Sequence, residues 1–427
     1  MSAALKSYVK STMACLALVG TSVIAVFAAF SFLPRAWAFW PGLLSALIAL
    51  FGSVLVFACV LVLWRHRRGA LGERDLFLEL NRSREPAAIE SSAVRRRVRL
   101  RRWLARRFLG HDLIVGDLVE IRPWAEIRAT LDEQGCLEEL PFMPEMLALC
   151  GRRARVFRGM HRLFDYRKSR RMRHMQGAVL LAGAVCDGAS HGGCEAACHT
   201  IWKAAWLRRV DAVRDEVSPK PPASDPHSLA TDTNLAFGTQ PPRYICQLTR
   251  LSAASEPVGN WSLINFWRPL IAGNVTPTAF LVAWLTHLFN ELQHHRGGIG
   301  FPSFDSGTRE VRPADDARFR PGDLVNARSP AAIRATLDDR LIHRGMGFEP
   351  DMLKHCGRVY RVQAEISRLI DIVTGEMRTM KTPAYLLHDV HFSGERQLFN
   401  AQYEPLFWRA VWLRKAPPHP VTANDVN

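Results

Sequence analysis

The sequence predicts a two-helix transmembrane hairpin followed by an α+β part. That part is a tandem pair of duplicated small barrels with a helical insert between them. Three observations predict it. Residues 11–34 and 36–64 carry no charged side chain. Eight arginines crowd into 94–108. A set of short motifs recurs at a constant offset of 206 residues. The chain has 427 residues, enough for two or three globular units. With 48% hydrophobic and 22% charged residues, it is neither a disordered chain nor a fibrous rod. Nine cysteines are too few for a disulfide-rich secreted scaffold.

The membrane module is expected over 1–68. Each uncharged run exceeds the ~20 residues that span a ~30 Å hydrocarbon core, giving spans at about 12–33 and 42–64. Pro34, Trp37, Trp40 and Pro41 suit a turn at a lipid–water interface. Lys6 and Lys10 precede the first span, and Arg65, Arg67 and Arg68 follow the second. The positive-inside bias then places both termini in the cytoplasm of a bacterial inner membrane. A second reading makes 1–38 a cleaved signal peptide, because Ala36-Trp37-Ala38 forms an A-x-A site.

Residues 69–109 form a basic juxtamembrane segment. Arg95, Arg96, Arg97, Arg99, Arg101, Arg102, Arg106 and Arg107 alternate with Val94, Val98, Leu100, Trp103, Leu104 and Phe108. The pattern predicts an amphipathic helix lying on the anionic headgroups of a lipid bilayer. An anionic polymer and a plainly solvated helix face are the alternatives. Between residues 65 and 180 there are 26 basic against 15 acidic residues. Much of the net +16 therefore sits near the expected membrane, so nucleic acid is not needed to explain it.

The duplication organises the rest. Gly116-Asp117-Leu118-Val119 recurs as Gly322-Asp323-Leu324-Val325, and Ile127–Asp132 as Ile333–Asp338. Cys150-Gly151-Arg152 recurs as Cys356-Gly357-Arg358. Trp202 and Trp206-Leu207 recur as Trp408 and Trp412-Leu413. Repeat 1 is placed at 110–210 and repeat 2 at 316–416. Linkers are expected at 211–243 and 298–315, the helical insert at 244–297 and a tail at 417–427. Within a repeat, strands are expected near 118–122, 155–164 and 178–185. A short helix at 144–149 ends at Cys150-Gly151, and a closing helix covers 194–209. The insert is read as a strand at 244–248 and two helices, 261–272 and 277–292. Several short strands after G-D-L-V resemble SH3-like modules, an analogy of fold alone.

The chemistry concentrates in repeat 1. Cys186, Cys194, Cys198, His191 and His199 fall within 14 residues, with Cys150 upstream. In a cytoplasmic chain such thiols favour a metal or redox role over disulfides. On a helix, Cys194 and Cys198 would share one face. Cys150, Cys186, Cys194 and Cys198 could hold a structural zinc ion or a 4Fe-4S cluster, with His191 or His199 replacing one thiol. Buried structural cysteines and a reactive thiol remain open. Cys194-Glu195-Ala196-Ala197-Cys198-His199 also imitates a haem c attachment site with one extra residue. In repeat 2, Cys186, His191, Cys194 and Cys198 become Phe392, Gln397, Asn400 and Glu404. The fold therefore does not require these residues.

The combination of Cys150-Gly151-Arg152 with Arg155-Val156, the Cys186–Cys198 run and Trp202 with Trp206-Leu207 resembles an uncharacterised bacterial family. The resemblance covers repeat 1 well and implies no activity. No phosphate-binding loop, dinucleotide fingerprint, H-E-x-x-H or G-x-S-x-G elbow occurs. The expected function is a membrane-anchored binding or scaffold protein with a Cys-rich metal site. Its expected partners are the bilayer and a protein or anionic polymer. The alternatives are an iron–sulfur redox component and an accessory of surface polysaccharide production.

Overall fold

The computed structural model describes residues 92–416, apart from 166–168, 170, 211–242, 259–262, 296, 299, 301–302, 305, 311–316 and 395–399. The chain enters on helix α1 (Ser92–Leu109). Repeat 1 follows with β1 (Leu118–Ile121), α2 (Trp124–Arg128), β2 (Cys136–Leu137) and β3 (Leu140–Pro141). It continues with β4 (Arg153–Gly159), β5 (Leu163–Phe164), β6 (Met172–His174), β7 (Ala178–Val185), β8 (His199–Lys203) and β9 (Leu207–Arg209). The insert holds α3 (Gln247–Arg250), β10 (Glu256–Pro257), α4 (Leu263–Ala272) and α5 (Pro277–His295). Repeat 2 has β11 (Leu324–Ala327), α6 (Pro330–Arg334), β12 (Ile342–His343) and β13 (Met346–Gly347). Its long hairpin is β14 (Val359–Ile370) and β15 (Met377–Leu387), followed by β16 (Trp408–Arg409) and β17 (Leu413–Lys415).

The two repeats are built alike. The sheet orders are β8-β7-β4-β1-β9 and β16-β15-β14-β11-β17. Registers match at the 206 offset: Leu118 faces Arg155 as Leu324 faces Arg361. The cores match too. Trp202, Trp206, Trp408 and Trp412 are all fully buried. Phe142 meets Trp206 edge-on at 5.3 Å, and Phe348 meets Trp412 at 5.4 Å. Each second tryptophan donates its indole N–H to a threonine Oγ1 at 3.0 Å, Thr130 or Thr336. Buried indole N–H groups usually find such a partner.

The repeats also clasp each other reciprocally. Glu195 N–H donates to the Arg368 carbonyl at 2.9 Å, and its counterpart Ala401 N–H donates to the Arg162 carbonyl at 2.6 Å. The counterpart amides Ile370 and Phe164 also reach across, though to acceptors that are not counterparts: Cys194 Sγ (3.4 Å) and Gln402 Oε1 (3.4 Å). Residue i meets j while j's counterpart meets i's, the rule of a twofold interface realised within one chain.

Several expectations are corrected. Among the described residues no helix is long and apolar enough to cross a membrane. A transmembrane hairpin is therefore not supported, nor is the two-span inner-membrane placement with both termini cytoplasmic. The expected spans, 12–33 and 42–64, lie outside the described residues. The described fold is dominated by antiparallel sheets with few, mostly short helices, which corrects the α+β reading. The closing helix at 194–209 is instead strand β8, a 3₁₀ turn at Ala204–Trp206 and strand β9. The turn between the strands brings Trp202 and Trp206 into one core, so their four-residue spacing only imitates a helix. The strand expected at 244–248 runs into helix α3, whose Gln247 side chain replaces ladder bonds. Its Oε1 accepts from the Ile201 amide, and its Nε2 donates to the Ile201 and Pro141 carbonyls.

The basic segment is helical, and part of its charge is used internally. Arg102 pairs with Asp117 at 2.7 Å and Arg106 with Asp112 at 2.8 Å. Ala105 and Leu109 of the same helix pack with Ile114, Ile271 and Ala272. Arg99, Leu100, Arg101, Trp103, Arg106 and Arg107 are exposed. The side chains of Arg95, Arg96 and Arg97 lie outside the described set.

Three histidines stack beneath this helical layer: His111 on His161 at 5.2 Å, and His161 near His174 at 6.4 Å. His161 is 1% exposed, and neither ring nitrogen has a hydrogen-bond partner. Burial, then the neighbouring His111, His174 and Arg268, holds His161 well below its ordinary range. Burial lowers His111 to about 4 against the nearby Asp112. Burial, with Arg268, Lys203 and His111, lowers His174 to about 4. A folded pKa below the unfolded one means that the unfolded chain binds protons first as pH falls. This stability is complete above pH 6.5 and is lost between about 6.5 and 4, about 3 kcal/mol of it from His111 alone. Urea denaturation across that window is expected to show the loss, and His161→Phe is expected to flatten it.

Candidate metal centre

The loop from Cys186 to Cys198 joins β7 to β8. Its frame is shared by both repeats. Gly188 (φ 69°) and Gly394 (φ 74°) take left-handed turns. A Cβ at Gly188 would stand 1.9 Å from the Cys194 carbonyl oxygen, and one at Gly394 would stand 2.0 Å from that of Asn400. The Cys186 amide donates to the Cys198 carbonyl (2.8 Å) as the Phe392 amide does to that of Glu404 (2.9 Å). Backbone thus dictates the frame, and repeat 1 alone decorates it with thiols. Gly188→Ala is expected to cost at least ~2 kcal/mol and to displace Cys194, because left-handed strain adds to a backbone clash. A thermal melt checks the first effect.

Glu145, Cys186 and His191 come together here. One ligand atom from each lies within 4.8 Å of the other two. Glu145 sits in the first turn of the 3₁₀ helix Pro144–Leu149. Cys186 Sγ is 3.4 Å from His191 Nε2. Ser190 fixes the arrangement: its hydroxyl donates to Glu145 Oε2 at 2.7 Å and lies 3.0 Å from His191 Nδ1. A hydroxyl has one proton, and Glu145 takes it. His191 must then carry its proton on Nδ1 and donate it to Ser190, which leaves the Nε2 lone pair facing Cys186. Glu145 Oε1 is buried without a partner. Three acceptor atoms therefore converge with no donor among them but the thiol proton.

The wider cavity has a volume of about 350 Å³. Cys194, Cys198, Cys246, His199 and Glu404 line it together with the three residues above. Apolar wall comes from repeat 2, through Leu369, Ile370, Ile372 and Phe407. Burial, followed by Glu145, pushes the Cys186 thiol far up. Burial also raises Cys198, helped by Glu404 and then by Cys246, Cys194 and Cys186. Burial and Glu349 raise Glu404 to about 7. Thiols and a carboxyl raised by burial, as Cys186, Cys198 and Glu404 are, ionise readily only with a cation beside them.

The expected metal residues separate into groups. Cys186 and His191 belong to the triad. Cys194 and Cys198 line the same cavity, though on irregular loop rather than one helix face. His199 also lines it, with its ring stacked on Phe157 at 5.7 Å and edge-on to Tyr403 at 5.3 Å. Cys150 is elsewhere: it is 2% exposed in the repeat 1 core, with its thiol directed at the Met146 carbonyl. Cys356 repeats that contact with Met352. Burial raises the two thiols to about 11 and about 12. Cys150 is buried and Cys356 half-buried against its core, and each caps the end of a 3₁₀ helix.

Sequence reasoning missed Glu145 and Cys246. Glu145 had a visible signal, because its counterpart Asp351 is also acidic. Asp351 accepts from the Ser393 amide and hydroxyl as Glu145 accepts from Ser190. Cys246 had none, since it lies outside both repeats. No family model matches the chain, and no curated protein matches it in sequence. The class defined by fold and site is a duplicated, sheet-rich protein with a Glu/Cys/His cluster able to hold a metal ion.

Proposed function

We propose that this protein is a zinc-binding scaffold whose ion is held by Glu145, Cys186 and His191. The observation that carries the reading is the Ser190 relay, which leaves His191 Nε2, Cys186 Sγ and Glu145 Oε1 as convergent acceptors. In tetrahedral zinc, a thiolate at ~2.3 Å and an imidazole at ~2.05 Å stand about 3.6 Å apart. The 3.4 Å between Cys186 and His191 is close to that edge. Ser190 orients two ligands at once, as outer partners of metal sites do. The ion would brace the loop that clasps repeat 2, favouring a role in holding a binding surface rather than in turnover.

The iron–sulfur reading is less well supported. Its four-thiolate set included Cys150, which is in the core. The polysaccharide reading rested on the membrane hairpin, which no helix among the described residues supports. The test is a zinc titration of the reduced full-length chain against a chromophoric chelator. Binding of a tight equivalent lost in His191→Ala supports the reading; identical binding by the variant overturns it.

A further inference from the structure

Each repeat buries one cation at the same place. Lys203 in repeat 1 is 3% exposed, and its counterpart Arg409 in repeat 2 is 4% exposed. Both donate to the same backbone carbonyl, that of Gln176 (3.1 Å) or of its counterpart Thr382. In repeat 1 an acid answers the charge: Lys203 Nζ lies 2.6 Å from Glu138 Oε2. Glu138 takes a left-handed turn with φ 51°, and its counterpart Arg344 keeps that turn with φ 47°. Repeat 2 therefore sets a second cation where repeat 1 sets the acid. The two arginines are tied together. Arg409 Nη2 donates to the Arg344 carbonyl at 2.9 Å, and Arg344 Nη1 reaches Thr382 Oγ1 at 3.5 Å. A third cation joins them: Lys381 is exposed where repeat 1 has the fully buried Met175.

Arg344, Lys381 and Arg409 line one cavity of about 950 Å³. Arg378 lines it too, but pairs with Asp371 at 3.4 Å and Glu376 at 3.2 Å. Two acids share the wall, Glu349 and Glu404. Burial and Glu349 raise Glu404 to about 7, which suppresses its charge near neutral pH. Apolar wall comes from Met346, Met352, Met380, Phe392, Leu406 and Phe407. Cavities that take small ligands are roughly 300–1,000 Å³, apolar, with a few placed polar groups. Methionines let such a wall adapt to the body of its ligand.

We infer that this cavity binds an amphiphilic organic anion. Its carboxylate or phosphate head sits among Arg344, Lys381 and Arg409, and its apolar body lies against the methionines and Phe407. The head takes in repeat 2 the role that the Glu138 carboxylate has in repeat 1. Arginine suits that role, because its guanidinium fork matches a carboxylate or phosphate. Repeat 1 has neither of the added cations, so the divergence of the two copies at these positions creates the site. None of Glu145, Cys186 and His191 lines this cavity, so the inference does not rest on the zinc reading.

The test is isothermal titration calorimetry of the reduced full-length chain. A chelator is present, so that no head group binds through a metal. The probes are decanoate, decyl phosphate, decanol and inorganic phosphate. One equivalent of decanoate or decyl phosphate is expected to bind at least about tenfold more tightly than decanol, and the tighter of the two names the head group. Arg344→Glu is expected to weaken that binding by at least about tenfold, because it sets an acid against the head. The variant should stay folded by circular dichroism, because it recreates beside Arg409 the pair that Glu138 makes with Lys203. Lys381→Met, the residue of repeat 1, is expected to weaken binding by a smaller factor. Decanol binding as tightly as both anions, or undiminished anion binding by a folded Arg344→Glu chain, overturns the site. So does the absence of binding by both amphiphilic anions. Inorganic phosphate binding as tightly as decyl phosphate overturns the role given to the apolar wall.

Discussion

Cys186→Ser is expected to lower zinc affinity at the triad by at least ~10³-fold, and His191→Ala by a similar factor. Each removes one of three protein ligands, and a serine hydroxyl does not replace a thiolate for zinc. Ser190→Ala is expected to cost less, about 10–100-fold, because it leaves the ligands and removes only what orients them. The graded order is the point. Were Ser190 a bystander, its loss would leave affinity unchanged. Glu145→Gln separates charge from shape: it keeps the hydrogen bond to Ser190 and removes the anionic donor. Binding should weaken as pH falls, because the thiol proton competes with the ion and burial holds the Cys186 thiol high. Competition with a chelator at several pH values checks both effects.

Trp206→Ala is expected to destabilise repeat 1 by about 3–5 kcal/mol, enough to unfold many domains of this size. The side chain is fully buried against Phe142 and Trp202, at 5.3 and 6.4 Å. Its removal leaves a cavity in the repeat 1 core. It also deprives Thr130 Oγ1 of its donor. Trp206→Phe retains much of the packing and loses the hydrogen bond, so about 1–2 kcal/mol is expected. Trp412→Ala is the matched experiment in repeat 2, where Phe348 and Thr336 occupy the same places. Because the repeats clasp each other, both variants should shift one shared urea transition. A cost below about 1 kcal/mol for either alanine would contradict the shared-core account.

The duplication was legible in the sequence because it is a matter of register, and register survives where side chains pack. The constant 206 offset runs through G-D-L-V, the Cys-Gly-Arg stop and the tryptophans, and within these motifs Val119, Val325 and all four tryptophans are fully buried. The closing segment was misread because Trp202 and Trp206 satisfy a helical spacing. A strand followed by a 3₁₀ turn buries the same pair, and β-branched Thr200 and Ile201 favour the strand. Two of the three triad residues are legible in the sequence, as Cys186 and His191 lie five residues apart in one loop. Glu145 and Cys246 reach the cavity through tertiary folding, which spacing along the chain does not encode. Cys150 misled for a related reason. A thiol at a helix stop looks like a ligand, but its counterpart Cys356 makes the same core contact where the other thiols of the cluster are missing.

The triad itself is tested most directly by zinc-edge X-ray absorption on the full-length Cys198→Ser/Cys246→Ser chain loaded with one equivalent of zinc. That variant removes the competing thiols and leaves Glu145, Cys186 and His191 intact. The account predicts one sulfur near ~2.3 Å with the remaining ligands nitrogen and oxygen near ~2.0–2.2 Å, an imidazole among them. A shell of two sulfurs with no imidazole, or zinc that washes away on desalting, would contradict it.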